Sequence, residues 1–156
     1  MYLRDFRTRK PNRAKGFDYK SRQRYFVTVC AKDKFELFGR INSGVMSLSE
    51  LGEIVQGELK RMAVPYEGVE IQASVVMPNH VHMVVEVVSF SDATISRVVQ
   101  QWKRAVSKRA GYSPWQKSFH DHVIRDDDAL AKIVEYISDN IKNWEHDCYN
   151  HRHKRL

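Results

Sequence analysis

Two imidazoles, His80 and His82, stand two residues apart in the run Val75-Val76-Met77-Pro78-Asn79-His80-Val81-His82-Met83-Val84-Val85. The part of this run that follows Asn79 reads as a β-strand. Side chains at i and i+2 of a strand point to one face, so the histidines lie side by side. Val81, Met83, Val85 and Val87 share the other face, which is apolar and suits a core. Adjacent imidazoles can hold a divalent metal. Two ligands do not make a site, however, and the same spacing fits a surface histidine pair beside a turn.

A later segment offers a third donor. Leu130, Ile133, Val134, Ile137, Ile141 and Trp144 recur at helical spacing and define a buried stripe. Tyr136 and Asn140, at i and i+4, lie one above the other beside it. A phenol and an amide on one helical face are unremarkable alone. Beside a His-x-His strand, the Asn140 carbonyl oxygen suits a third, neutral, hard ligand for Mg²⁺ or Mn²⁺. Tyr136 would then lie one helical turn from the metal, where a bound phosphate could be attacked. Glu86 shares the strand face of the histidines and is a candidate to fix an imidazole tautomer. His120 and His122 form a second His-x-His, while His151 and His153 fall in a basic tail.

The elements that must position these residues follow from periodicity and punctuation. Arg24 to Ala31 is β-branched and aromatic, a strand. Phe35 to Val45 holds two glycines and reads as a loop or small hairpin. Ser47-x-x-Glu50 has the form of a capping box ahead of a helix that ends by Pro65. Val69 to Val76 is a second strand, Met77-Pro78-Asn79 a tight turn, and His80 to Val88 a third strand. A helix capped by Ser91 or Asp92 runs to Ala110 and stops at Gly111. Ser118 to Arg125 is a short fourth strand, and Asp126-Asp127-Asp128 opens the last helix, with acids favourably placed at its N-terminus. This order predicts an α+β domain: a ferredoxin-like antiparallel sheet with helices on one face, plus an extra C-terminal helix carrying the tyrosine.

A chain of 156 residues with 42% hydrophobic and 29% charged residues is a single ordinary globular domain in size and composition. No apolar run approaches the length of a membrane span, and Met1 to Asp5 lacks a signal-peptide core. Cys30 and Cys148 show no metal-like spacing and read as free thiols in a reducing cytoplasm. The expected organisation is a basic arm over 1–23, a domain over 24–150 and a basic tail over 151–156. Charge is unevenly spread. Residues 1–24 carry nine Lys/Arg against Asp5 and Asp18, which accounts for the whole net charge of +7. Between Ala93 and His120 there is no Asp or Glu beside Arg97, Lys103, Arg104, Lys108, Arg109 and Lys117. Such clustering favours a polyanion by counterion release, and aromatics interleaved with the arm's arginines suit base stacking. Arg4, Arg7, Arg9, Lys10, Arg13, Arg97, Lys103, Arg104 and Lys108 are therefore candidate DNA contacts. The alternative is a solubilising tail and a solvated helix face.

Three segments, taken in order, carry a resemblance: Val76-Met77-Pro78-Asn79-His80-Val81-His82, Trp115-Gln116-Lys117-Ser118-Phe119-His120-Asp121-His122-Val123-Ile124-Arg125, and Glu135-Tyr136-Ile137-Ser138-Asp139-Asn140. From Tyr25 to Tyr149 the chain resembles the single-tyrosine HUH transposases of small insertion sequences, particularly the branch associated with repetitive extragenic palindromes. The resemblance implies that His80 and His82 are metal ligands, Asn140 the third ligand and Tyr136 the nucleophile. His122 matches a recurrent position, where it would orient the phosphate or pack near the site. It implies cleavage and rejoining of single-stranded DNA, with a hairpin beside the cut, through a 5′-phosphotyrosine. Mg²⁺ or Mn²⁺ would be the cofactor, with no nucleotide and no membrane involved. The family motif continues with Pro after the Asn; here Ile141 stands in its place and is expected to let the helix run on. Relatives include monomers and homodimers, and no residue here decides between them. A DNA-hairpin-binding protein with weak or no catalysis and an RNA-binding protein stay open as other readings.

Overall fold

The computed structural model describes residues 22–88 and 91–150. The arm's Arg4, Arg7, Arg9, Lys10 and Arg13, and the tail over 151–156, lie outside the described residues. Strand β1 (Arg22–Cys30) leads to a hairpin of β2 (Gly39–Asn42) and β3 (Val45–Leu48), then helix α1 (Glu50–Arg61). Strands β4 (Val69–Val76) and β5 (His80–Val88) follow, then α2 (Ile95–Ala110), β6 (His120–Ile124) and α3 (Asp127–Asp139). The main sheet has the order β4-β5-β1-β6, and every pairing in it is antiparallel. This is the ferredoxin-like arrangement expected, with β5 and β1 as the two interior strands.

Strand alternation sorts the side chains into two cores. Val27 and Val29 of β1 join Val81, Met83 and Val85 of β5 on one face, beneath Val55 and Leu59 of α1 and Val98, Val99, Trp102 and Val106 of α2. The other face presents Phe26, Val84 and Ile124, covered by Ile133 and Ile137 of α3. Helix α3 is thus the extra element, and among the described residues it is the one α-helix on its side of the sheet. Between Ile71 and Ala73 the β4–β5 register shifts by one residue, leaving Gln72 as a bulge on the edge strand. That extra residue sends Ile71 and Ala73 to opposite cores, although both are odd-numbered.

Helix boundaries depart from expectation at three points, each for a local reason. Ser47 is spent in β3, opposite Arg40, so the cap of α1 is Ser49, whose hydroxyl accepts from Gly52 N at 3.0 Å. Thr94 caps α2 by accepting from Arg97 N at 3.2 Å, while the Ser91 hydroxyl accepts from Ala93 N. Helix α3 does not run on through Ile141. Asn140 N donates back to Ile137 O and Trp144 N to Ile141 O, so the chain tightens into turns and a short 3₁₀ segment over Trp144–His146. Tertiary bonds formed by Asn140 and by Asn150, whose Nδ2 donates to Trp144 O, outweigh what an isoleucine contributes to helix continuation.

Candidate functional site

The site lies on the α3 side of the sheet. His80 and His82 project there from β5, both fully buried, with ring centroids 4.5 Å apart. Asn79, itself 1% exposed, fixes the first ring. Its Nδ2 donates to Lys34 O at 3.2 Å and Tyr149 O at 2.8 Å. Carbonyls only accept, so the amide NH₂ must face them and Oδ1 must face His80 Nδ1, 2.8 Å away. That nitrogen therefore carries the proton, and in a neutral ring Nε2 is left with a bare lone pair.

His82 is held from the neighbouring strand. Thr28 lies directly opposite it in the β1–β5 register, and the Thr28 hydroxyl is 2.8 Å from His82 Nδ1. Phe26 stacks on the same ring at 5.2 Å. Burial pushes His82 down to about 3. Burial, reinforced by the neighbouring His82, holds His80 well below the ordinary histidine range. Both imidazoles are thus neutral at physiological pH, the form in which they can bind a metal.

Helix α3 brings Tyr136 over the pair, its ring centroid 5.4 Å from that of His82. Asn140, one turn on at the helix C-cap, is 2% exposed. Its side chain lies close enough to bias the ionisation of both His80 and Tyr136, without a hydrogen bond of ordinary geometry to either. Burial, with the Asp147 charge adding to it, raises the Tyr136 phenol well above its usual value. The segment after α3 closes the site. Tyr149 stacks on His80 at 4.2 Å, Trp144 approaches the same ring at 6.2 Å, and Asp147 Oδ2 accepts from Asn140 Nδ2 at 3.1 Å.

Among the described residues, six buried side-chain polar atoms lack a hydrogen-bond partner, and four fall in this one cluster: His80 Nε2, His82 Nε2, Asn140 Oδ1 and Tyr136 Oη. An unsatisfied buried polar group costs about 1–3 kcal/mol, so four together would be relieved by a bound ion or water at that point. The bare Nε2 of His80, the Nε2 of His82 when Thr28 accepts from its Nδ1, and a neutral amide oxygen fit a divalent cation of the Mn²⁺ or Mg²⁺ kind. No cluster of three His, Cys, Asp or Glu exists among the described residues, and the amide is the third donor on offer.

Other residues singled out by sequence take different places. Glu86 shares the histidine face but sits toward the far end of β5, where Gln72 Nε2 donates to it and Arg22 pairs with it at 3.5 Å. Asn79 and Thr28, not Glu86, occupy the imidazole Nδ1 positions. His122 is buried on the site face of β6, edge-on to Phe26 at 5.5 Å, so Phe26 contacts both it and His82. Lys103 is not a DNA contact: it is 8% exposed, and its Nζ donates to Gln116 O and Ser118 O, each at 3.1 Å. The spacing Val99, Trp102, Lys103, Val106 is that of a buried helical stripe and carried this signal. Arg97, Arg104 and Lys108 are exposed, on the α2 side of the sheet, opposite the histidines. Sequence reasoning missed Thr28, Asn79 as a clamp, Asp147 and Tyr149; of these only Asn79, next to His80, was within reach of a local pattern. Cys30 and Cys148 are free thiols, as expected. No helix among the described residues is long and apolar enough to cross a membrane.

Comparison with known proteins bears on the fold. No family model matches the chain. A protein of uncharacterised function from Haemophilus influenzae is 30% identical over 164 residues, spanning 89% of this chain and 91% of that protein. Among solved structures, a REP-associated tyrosine transposase bound to a REP hairpin superposes with a TM-score of 0.62 at 21% identity, over 85% of this chain and 74% of that one. A candidate transposase from Deinococcus radiodurans gives a TM-score of 0.53 at 18% identity, over 83% of this chain and 97% of that one. The chain belongs to the family of the Haemophilus influenzae protein, and its fold is that of the REP-associated tyrosine transposases.

Proposed function

We propose that this protein is a DNA strand transferase that cleaves and rejoins single-stranded DNA through Tyr136, with a hairpin held beside the cut. The observation that carries the reading is the convergence of four buried, unpartnered atoms from His80, His82, Asn140 and Tyr136. A phenol beside a three-donor cation site is what transesterification of a phosphodiester needs. A Mg²⁺ or Mn²⁺ ion held by His80, His82 and Asn140 would supply Lewis-acid stabilisation of charge on the scissile phosphate. Tyr136 Oη attacks phosphorus in line, forming the 5′-phosphotyrosine bond as the bond to the 3′-oxygen breaks. The phenol's proton ends on the departing 3′-oxygen. Attack by another 3′-hydroxyl reverses the step and rejoins a strand, so no nucleotide cofactor is consumed. Burial holds the free phenol in its protonated form.

Arg97, Arg104 and Lys108 of α2 would contact phosphates away from the cut, and the basic arm would add to this. His122 is a phosphate-orienting or packing residue in this reading. The reaction belongs in the cytoplasm, and its partner is single-stranded DNA with a hairpin.

The test is incubation of the protein with labelled single-stranded DNA from its own gene's flanks and Mn²⁺, followed by denaturing electrophoresis. A covalent protein–DNA band is expected, lost in Tyr136→Phe while DNA binding stays within a few-fold. A band that persists in Tyr136→Phe would move the nucleophile elsewhere, Tyr149 being the nearest other phenol. Tight hairpin binding with no band in the wild type would favour a DNA-binding protein without catalysis.

A further inference from the structure

We propose that Asp147 is a positioning residue: its carboxylate sets the orientation of the Asn140 amide so that Oδ1, and not Nδ2, is turned into the site. This deepens the reading of His80, His82 and Asn140 as a cation site and rests on it. The argument starts from what a carboxylate can do, which is accept only. Asp147 Oδ2 lies 3.1 Å from the Asn140 amide nitrogen. The NH₂ must be the group that faces Asp147, and Oδ1 is thereby turned inward, where it is buried without a partner.

The lock has something to work against. If the amide rotated by half a turn about its last bond, Nδ2 would take the place of Oδ1 beside the bare, buried Nε2 of His80. An NH₂ there could donate to His80 Nε2, relieving an atom that otherwise has no partner. Were Asp147 absent, the rotated amide would be the better-satisfied one, and it would present a cation with N–H hydrogens in place of a lone pair. Asp147 opposes that rotation, since rotation would set Oδ1 against a carboxylate oxygen. The carboxylate is itself tethered, its other oxygen accepting from Tyr149 N at 2.8 Å. Asp147 reaches the site only because α3 ends at Asp139 and the chain turns back through Trp144–His146.

The test measures Mn²⁺ binding to the full chain, by the loss of the free-ion electron paramagnetic resonance signal, with no DNA present. Asp147→Asn keeps size but can offer Asn140 either an oxygen or an NH₂, releasing the lock. Its Mn²⁺ affinity should fall by about 10–100-fold, the usual effect of losing a group that orients a metal ligand. The same change is then made in an Asn140→Asp background, where the third donor is a carboxylate with an oxygen on either side and orientation no longer matters. There Asp147→Asn should cost no affinity, or should improve it by relieving repulsion between the two carboxylates. A general structural role for Asp147 would weaken binding in both backgrounds, and that result overturns the inference. So does an Asp147→Asn protein that binds Mn²⁺ as tightly as the wild type. A wild-type protein that binds Mn²⁺ no better than His82→Ala is a different failure, and it would overturn the cation site itself.

Discussion

Asn79→Ala tests how the first histidine is held. The Asn79 side chain makes three hydrogen bonds, part-buried ones to Lys34 O and Tyr149 O and a buried one to His80 Nδ1, at 3.2, 2.8 and 2.8 Å. At about 1 kcal/mol net for each bond, removing all three costs roughly 3 kcal/mol. For a chain of this size each kcal/mol moves the midpoint by roughly 2–4 °C, so Tm should fall by about 6–12 °C. The effect on the ring is separate. With Oδ1 gone, nothing forces the proton onto His80 Nδ1, and the tautomer with Nε2–H becomes accessible, covering the lone pair the site would use. Thermal and urea unfolding in EDTA measure the first quantity. Long-range ¹H–¹⁵N correlation of the His80 ring reads the second, and should show the Nδ1–H tautomer in the wild type and a mixture in the variant. A wild-type ring protonated on Nε2 would refute the reasoning, as would a stability loss under about 1 kcal/mol, well below the three-bond sum.

Further expectations concern the rest of the molecule. Lys103→Met should destabilise by about 3 kcal/mol through two lost charge-assisted bonds and leave the salt dependence of DNA binding unchanged. Arg104→Ala or Lys108→Ala should leave stability within about 0.5 kcal/mol and lower the salt slope by about one unit; a filter-binding salt titration separates the two patterns, and the reverse assignment would return Lys103 to the DNA surface. Gly52→Ala should destabilise by about 2 kcal/mol in urea, although Ala is the better helix former by about 1 kcal/mol, because a Cβ there runs into the Phe38 carbonyl. A neutral or stabilising effect would mean that the α1 N-terminus does not sit on that loop. Burial lowers His80 and His82 in the folded protein, so below about pH 6.5 the unfolded chain takes up protons that the folded one refuses. Metal-free stability should then fall as pH drops through that value, by up to about 1.4 kcal/mol per pH unit for each imidazole, and be insensitive to these groups above it. An equal slope in His80→Gln/His82→Gln would assign the dependence elsewhere.

What was legible in the sequence is what repeats with a short period. His80 and His82 share a face because a strand alternates by two, and Tyr136 and Asn140 share one because a helix returns after four. The ferredoxin-like order followed from the same periods and from the glycines and acids that punctuate them. Thr28 was not legible as a partner of His82, because which residue of β1 lies opposite which residue of β5 is decided by the pairing of whole strands. Asp147 and Tyr149 follow the end of α3, where no period operates and tertiary hydrogen bonds steer the chain. Lys103 was legible in spacing, yet its charge argued for solvent; two backbone carbonyls that Nζ could reach reversed that. Ser47 and Ser49 both offer a cap, and only the extent of the hairpin chooses between them.

The interleaving of core and site along β5 and β1 limits how this protein can change over evolutionary time. His80 and His82 alternate with Val81 and Met83, as Thr28 alternates with Val27 and Val29. A single codon gained or lost inside either strand would exchange the faces of everything beyond it, sending an imidazole under α2 and a valine under Tyr136. A substitution therefore alters one side chain at a time, whereas a change of length in either interior strand would disturb core and site at once. The edge strand shows the contrast: β4 already carries an additional residue at Gln72, absorbed as a bulge without disturbing the histidines. Insertions in relatives should accordingly collect in the connections and at the sheet edges, and the spacing from His80 to Val88 should hold even where most identities have drifted.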